Sequence, residues 1–530
     1  MDKGKWYIAF FVILFVLPLT SQAQEQKLWV YFTDKGDQSF EPYSFFHPKA
    51  IERRIKNDLP IYDFSDIPVN AEYAASLEMI GCSIKMQSRW FNACCVLFEG
   101  SVSEIVELPF VKTVVPAIVA QPFSCAASTE LSLNSFMIDH ALAQTQILGG
   151  EYCVKNQLSG KGVRIAVFDV GFTGYKKLPH FKHLRDSGQI EKTWDFIGKD
   201  ENVEGHGNHG TMVLSCIGGR FQDIPLGLAQ DATYLLARTE RNYGEYLSEE
   251  EHWLEAAEWA DKEGVDIINS SLGYTYHRYF YEEMDGKSTI VSRAASMAAR
   301  KGILVVNAAG NDGDEDWEHI GAPADADSVL TVGGINPRTG APISFTSFGP
   351  TADQRRKPNV SAFGIAAVAS KKGLELVPGT SFASPLIAGL AACIWQENPE
   401  MTNMDVFQRI ERAGHLFPYF DYSNGYGVPS IARLDEVPDW GNTNVLELEE
   451  SEYGGKRIWI TPADERTQNV LKESPQLVYW QVLNENGQIT FYQVVEPDGP
   501  NGALIPQFRL NGAKTLRMKY KNQYREIDLY

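Results

Sequence analysis

The stretch that most constrains this chain is Gly379-Thr380-Ser381-Phe382-Ala383-Ser384-Pro385, a tight turn that carries hydroxyls into the mouth of an apolar helix. Gly379 lets the backbone bend and approach a ligand closely, and Thr380 and Ser381 bring side-chain oxygens suited to a helix start. Pro385 is tolerated in a first turn, and Leu386 to Cys393 are apolar or small around most of the circumference, so the helix is expected to lie inside the protein. Its N-terminus carries partial positive charge, which suits an oxygen that turns negative during acyl transfer. A serine in such a turn serves equally as a helix cap or as a nucleophile, and its partners decide between the two.

Two further segments supply partners. Val163 to Asp169 is a mostly apolar, branched run that reads as a buried parallel strand, ending in a carboxylate at the edge where sites form in open α/β sheets. His209 stands in GHGNHGTMVLSC, where a glycine-rich loop passes into a helical pattern through Val213, Cys216 and Ile217. An imidazole here takes the proton of Ser381 if Asp169 holds its other ring nitrogen. His206, flanked by Gly205 and Gly207, reads as a rim residue of that loop.

The chain order Asp169, His209, Ser381 resembles that of the subtilisin-like serine peptidases, the subtilases. The resemblance runs from about residue 140 to 435, through LSGKGVRIAVFDVGF, NHGTMV, VDIINSSLG, VVNAAGND and GTSFASPLIAGL. It implies a secreted serine endopeptidase of α/β class: a subtilisin-like domain with a mostly parallel central sheet flanked by helices. Asp169 then orients the imidazole, His209 is general base and acid, Ser381 is the nucleophile, and Asn311 is the oxyanion-stabilising amide. The segment Ser270-Ser271-Leu272-Gly273 matches the family stretch that pairs with an extended peptide, and Ala308, Ala309 and Gly310 resemble the opposite wall of the primary pocket. Small walls imply a preference for large uncharged residues on the acyl side. Asn359 and Phe363 stand where relatives more often have Asp and Pro, and Met212 replaces a common His or Arg.

Lys3 and Lys5 precede an apolar run from Trp6 to Leu19, and Ser21-Gln22-Ala23 forms a small-residue cleavage site, so residues 1–23 read as a secretory signal and the chain as exported. Residues 24–125 read as a small α+β module, with strands at Leu28 to Phe32, Cys82 to Met86, Ala93 to Phe98 and Val111 to Val115. Its helices are expected at Pro48 to Lys56, Ala71 to Ile80 and Ser103 to Leu108. The resemblance implies an inhibitory prodomain, cut between Val119 and Asp139; a permanent accessory domain is the alternative. The peptidase domain is expected over residues 126–437 and a solvated acidic connector over 438–455. Strand patterns broken by Asn-Gly and Gly-Pro turns over 456–530 suggest an antiparallel β-sandwich serving as a sorting signal, a binding module or a cap.

The formal net charge of −20 argues against nucleic acid or an anionic membrane as a partner. Peptide or protein substrates and the chain's own prodomain remain. The seven cysteines form no regular framework, and no Cys/His spacing fits zinc, so no cofactor is required by pattern. Asp312, Asp314, Glu315 and Asp316 gather hard oxygens after Asn311, and the resemblance allows a stabilising calcium there, but no complete ligand set is visible and a solvated acidic loop is the favoured reading.

Overall fold

The computed structural model describes residues 25–117, 135–241, 248–275, 278–435, 446–451, 454–460, 477–496, 503–521 and 523–529. Its centre is a seven-stranded parallel sheet: β1 (Arg164–Asp169), β2 (Ile190–Asp195), β3 (Thr233–Arg238), β4 (Ile267–Ser270), β5 (Leu304–Ala308), β6 (Val329–Ile335) and β7 (Val360–Phe363). The order across the sheet is β7-β6-β5-β4-β1-β3-β2, so the strand ending in Asp169 lies between those ending in Arg238 and Ser270. Strands covered on both faces need unbroken apolar runs, and β1, β4, β5, β6 and β7 are buried at every position. The edge strand β2, IEKTWD, carries the charges of Glu191, Lys192 and Asp195 and is only partly buried.

The helices that flank the sheet include α1 (His209–Gly218), α2 (Ser248–Lys262), α3 (Ile290–Arg300) and α4 (Thr380–Glu397). Helix α4 is the expected central one, buried from Phe382 to Trp395 and packed on α1 and on β4 to β7. Pro385 stands inside it beyond the first turn, and the Ser381 carbonyl that its missing N–H would have met accepts from Ser271 Oγ at 2.8 Å instead.

The expected α+β elements of the N-terminal hundred residues are divided between two compact units. One compact unit comprises residues up to 36 with 69–87 and 92–117. It holds an antiparallel sheet of Ser83–Ser88, Ala93–Phe98, Gln26–Phe32 and Val111–Pro116, with helices Ala71–Met79 and Val102–Val106, around Leu28, Val30, Leu77, Val96 and Ile105. Residues 37–68 and 88–91 instead belong to the unit that contains the large sheet. The reason is a buried charge cluster. Arg53 pairs with Oδ1 of Asp261 at the end of α2, while Arg54 and Arg89 reach Oδ2 at 2.9 and 2.7 Å. Arg53 also donates to the carbonyls of Lys301 and Asp261 at 3.0 and 3.2 Å, closing the C-terminal ends of α3 and α2. The helix Pro48–Lys56 can approach this closely because residue 264 is glycine: a Cβ there would lie 2.7 Å from that of Lys49.

The C-terminal region is two antiparallel sheets over one core, with Leu446, Ile458, Val478, Trp480, Ile505 and Leu516 inside. Two elements differ from expectation. Leu446–Glu450, assigned by its acidity to a solvated connector, is a strand paired with Lys456–Ile460, because Leu446 and Leu448 alternate inward beneath the glutamates. The expected strand Leu504 to Leu510 stops at Ile505, where Pro506 caps a short helix, Gln507–Leu510. Leu416 and Tyr419 pack on Tyr479 of the nearer sheet.

The expected leader, residues 1–23, lies outside the described residues, as do 119–134 of the expected cut region and 438–445 and 452–453 of the connector. No helix among the described residues is long and apolar enough to cross a membrane.

Candidate active site

The carboxyl ends of β1, β4 and β5 and the N-termini of α1 and α4 meet at one place. Asp169 ends β1 and is wholly buried, and its Oδ1 accepts the N–H of Val170 at 2.8 Å. His209 opens α1, with Nδ1 2.9 and 3.0 Å from the two oxygens of Asp169. A carboxylate can only accept, so Nδ1 carries the ring proton and Nε2 is left with a lone pair. This approach depends on Gly210. A Cβ at that position would lie 2.7 Å from the carbonyl oxygen of Gly171 and 2.9 Å from Cβ of Asp169. Burial works against the imidazolium, but the charge of Asp169 and its hydrogen bond outweigh it, so the His209 pKa is raised above the ordinary value.

Ser381 is the second residue of α4, half buried, behind Gly379 at φ +143°. A side chain would be strained in that left-handed region. Phe382, the next residue, packs its ring on the His209 imidazole with centroids 5.4 Å apart, which sets the base beside the hydroxyl. Ser381 Oγ donates to the carbonyl of Ser271 at 3.4 Å, and among the described residues no hydrogen bond joins it to His209. A bond this long is weak, so rotation about one side-chain torsion toward Nε2 sacrifices little.

Asn311 follows β5. Its Oδ1 accepts from the Thr380 N–H at 2.8 Å and from the Thr380 hydroxyl at 2.9 Å. A backbone N–H can only donate, which fixes the atom it meets as oxygen and leaves Nδ2 as the outward donor. Of the first amides of α4, that of Thr380 is taken by Asn311 and that of Phe382 by the Gly379 carbonyl. The Ser381 N–H between them is available to a ligand oxygen, in line with the helix's positive end.

The expected recognition segment divides. Ser270 is inside the sheet, with its Oγ accepting from Trp253 Nε1 at 3.0 Å, so its main chain serves neighbouring strands. Ser271 and Leu272 are buried and Gly273 is exposed with open space around it. Ala308 and Ala309 are buried, and Gly310, at φ +115°, has Ser347 Oγ where a Cβ would stand. His206 lies away from these groups, its Nε2 3.7 Å from Asp195. Met212 packs against the apolar core. Asp314 accepts from Ser344 at 2.8 Å, and no cluster of three or more His, Cys, Asp or Glu able to hold a metal occurs among the described residues.

Sequence reasoning missed the residues that hold this arrangement. Ser384 Oγ donates to Asn269 Oδ1 at 2.9 Å, Asn269 Nδ2 to Ser271 Oγ at 3.3 Å, and Ser271 Oγ to the carbonyl of Ser381 at 2.8 Å. This chain ties the serine's backbone to β4. Asn307 Nδ2 bridges the carbonyls of Leu272 and Ala308 at 3.0 and 2.8 Å, fastening the two pocket walls together. The available signal was an amide inside an otherwise apolar strand, since a buried polar group demands partners.

The Subtilase family profile matches residues 160–427, and the profile for the Peptidase S8 propeptide domain, Bacteroidota, matches residues 27–130. The chain is 28% identical over 315 residues to serine protease AprX of Bacillus subtilis, covering 53% of this chain and 67% of the relative. It is 31% identical to the thermostable alkaline protease of Halalkalibacterium halodurans, covering 50% and 66%, and 31% identical to subtilisin DY of Bacillus licheniformis, covering 43% and 78%. The chain thus spans about two thirds of the length of the first two relatives. The solved structure of fervidolysin from Fervidobacterium pennivorans, 16% identical, shares the fold over 94% of this chain and 71% of its own, with a TM-score of 0.52.

Proposed function

The chain belongs to the subtilase family, and from that premise we propose that it is an exported serine endopeptidase acting through Asp169, His209 and Ser381, with Asn311 as oxyanion donor. The observation that carries the reading is the bidentate contact of buried Asp169 with His209, beside a serine at the positive end of a buried helix.

An extended peptide lies along residues 271–273, its main chain adding to the segment beyond β4, with its side chain between Leu272 and Ala308 to Gly310. Ser381 Oγ leaves the Ser271 carbonyl, gives its proton to His209 Nε2 and attacks the peptide carbonyl. Asp169 stabilises the imidazolium that forms. The carbonyl oxygen, now negative, accepts from Asn311 Nδ2 and the Ser381 N–H, both set in place before the reaction. His209 then returns the proton to the departing amine, and water hydrolyses the acyl-enzyme by the same route.

Covalent labelling with a fluorophosphonate tests the assignment. The folded enzyme in its exported form is expected to take one label on Ser381, located by peptide mass spectrometry, and Ser381→Ala is expected to take none. A well-folded protein that stays unlabelled overturns it. N-terminal sequencing of the exported form tests the leader, with Gln24 as the expected first residue of the uncut chain.

A further inference from the structure

A cavity of about 1000 Å³ opens beside His209. One wall is the loop from Thr173 to Leu178 that follows Asp169, and another is Glu204 to Asn208, which leads into α1. The third is the tip of the hairpin Ile365–Ser370 with Gly373–Pro378, whose second strand runs directly into Gly379. The peptide's acyl half occupies the other side, along residues 271–273 and 308–310. The general acid must reach the departing amine, so the chain beyond the cleaved bond emerges on the His209 side and into this space.

Its charge is unusual for a chain of formal net charge −20. Lys177, Lys371 and Lys372 line it, against the carboxylates Glu204 and Glu375. Glu204 is already engaged: it accepts from the Gly174 N–H at 3.3 Å and lies 4.0 Å from the ammonium of Lys176. Leu178 and Leu374 give the space an apolar floor that suits the stem of a longer side chain.

Building on the endopeptidase reading, we propose that this cavity selects substrates with an acidic residue among the first three positions after the cleaved bond, and that Lys371, Lys372 and Lys177 determine that preference. The lysines act through space on a flexible side chain in contact with water. The selection is therefore moderate and sensitive to salt, unlike that of a closed pocket.

Quenched fluorescent peptides, identical on the acyl side and carrying Asp, Asn or Lys at those three positions, test it. At low ionic strength kcat/KM is expected to be about fivefold higher for the Asp series than for the Lys series. The ratio is expected to collapse near 1 M salt, where the screening length falls to about 3 Å. Lys371→Gln with Lys372→Gln is expected to remove the preference and K371E with K372E to reverse it, circular dichroism confirming that each variant is folded. Equal cleavage of the three series by an enzyme that takes the fluorophosphonate label, or a preference untouched by the substitutions, overturns the cavity assignment alone. A folded protein that neither labels nor cleaves overturns the endopeptidase reading as well.

Discussion

Asp169 and Asp261 are both aspartates with no solvent exposure, yet their surroundings make opposite things of them. Asp169 has one titratable partner among the described residues, the His209 imidazole, whose side chain remains 31% exposed. Asp261 is ringed by the guanidinium groups of Arg53, Arg54 and Arg89, each at least 93% buried. Burial pushes its carboxyl up, but Arg54, Arg89 and Arg53 together hold it well below the usual carboxylate range. A guanidinium keeps its proton at any physiological pH, so the second cluster can only hold parts together. An imidazole gives its proton up near neutrality, so the first pair can do chemistry. What separates a working carboxylate from a structural one here is the partner's capacity to change state, and depth of burial is the same for both.

The largest break in this comparison is expected from Asp169→Asn. Without a carboxylate the imidazole loses its fixed tautomer, and kcat falls by about 10⁴ while the melting temperature holds, as read by peptide turnover beside calorimetry. Asp261→Asn is expected to do the reverse. Leaving buried Arg53 without its carboxylate, and Arg54 and Arg89 with Asp66 alone of the two aspartates they share, costs about 3–5 kcal/mol of stability in denaturant titration, while molecules that remain folded keep their turnover rate. The sign with pH follows from its depressed folded pKa. The stabilisation is complete above the ordinary carboxylate pKa of about 4 and is lost as the solution is acidified further, so wild type shows an acid-unfolding slope that the variant lacks.

Asn311→Ala sharpens the kinetic side. A loss of about 10²- to 10³-fold in kcat with little change in KM is expected, a magnitude established for a subtilisin's own oxyanion amide and carried over to this relative. The acid limb of kcat/KM should lie above the pKa of a free imidazole, since Asp169 raises that of His209 and activity needs the neutral ring.

The smallest effect concerns Lys357. Its buried ammonium donates to the carbonyl of Val329, to Thr331 Oγ1 at 3.0 Å and to Asn359 Oδ1 at 3.1 Å. Burial, followed by Arg355, pushes its pKa down to about 7. The folded state then binds fewer protons than the unfolded one between about pH 7 and 10, so stability rises with pH across that window. Lys357→Met is expected to abolish that rise and to cost about 1–3 kcal/mol through the oxygens left without a donor, both visible in urea titrations at the two pH values.

The parallel sheet and its helices were legible because burial on both faces imposes unbroken apolar runs, as in RIAVFD and LVVNA. Asp169, His209, Ser381 and Asn311 were legible as candidates because each stands at a strand end or helix start, and the structure brings all four to one end of the sheet. The tethers were not. Ser384 looks like any small residue in a helix, and Asn307 and Asn269 look like interruptions of apolar strands until partners from distant elements appear. The destination of Arg53, Arg54 and Arg89 was hidden for the same reason: an arginine on a surface helix and one that closes two other helices read identically along the chain. Asn359, unusual for the family at the level of sequence, accepts from the Thr331 N–H and from Lys357, so the replacement forms part of a self-consistent set.

The placement of residues 37–68 and 88–91 has a practical meaning for anyone who would produce this enzyme. A recombinant version trimmed to the half that matches its relatives, residues 160–427, would retain Asp261 and shed its three counter-ions. Supplying the N-terminal piece in trans, as a separately expressed fragment, is the way to give such a shortened chain its missing cations.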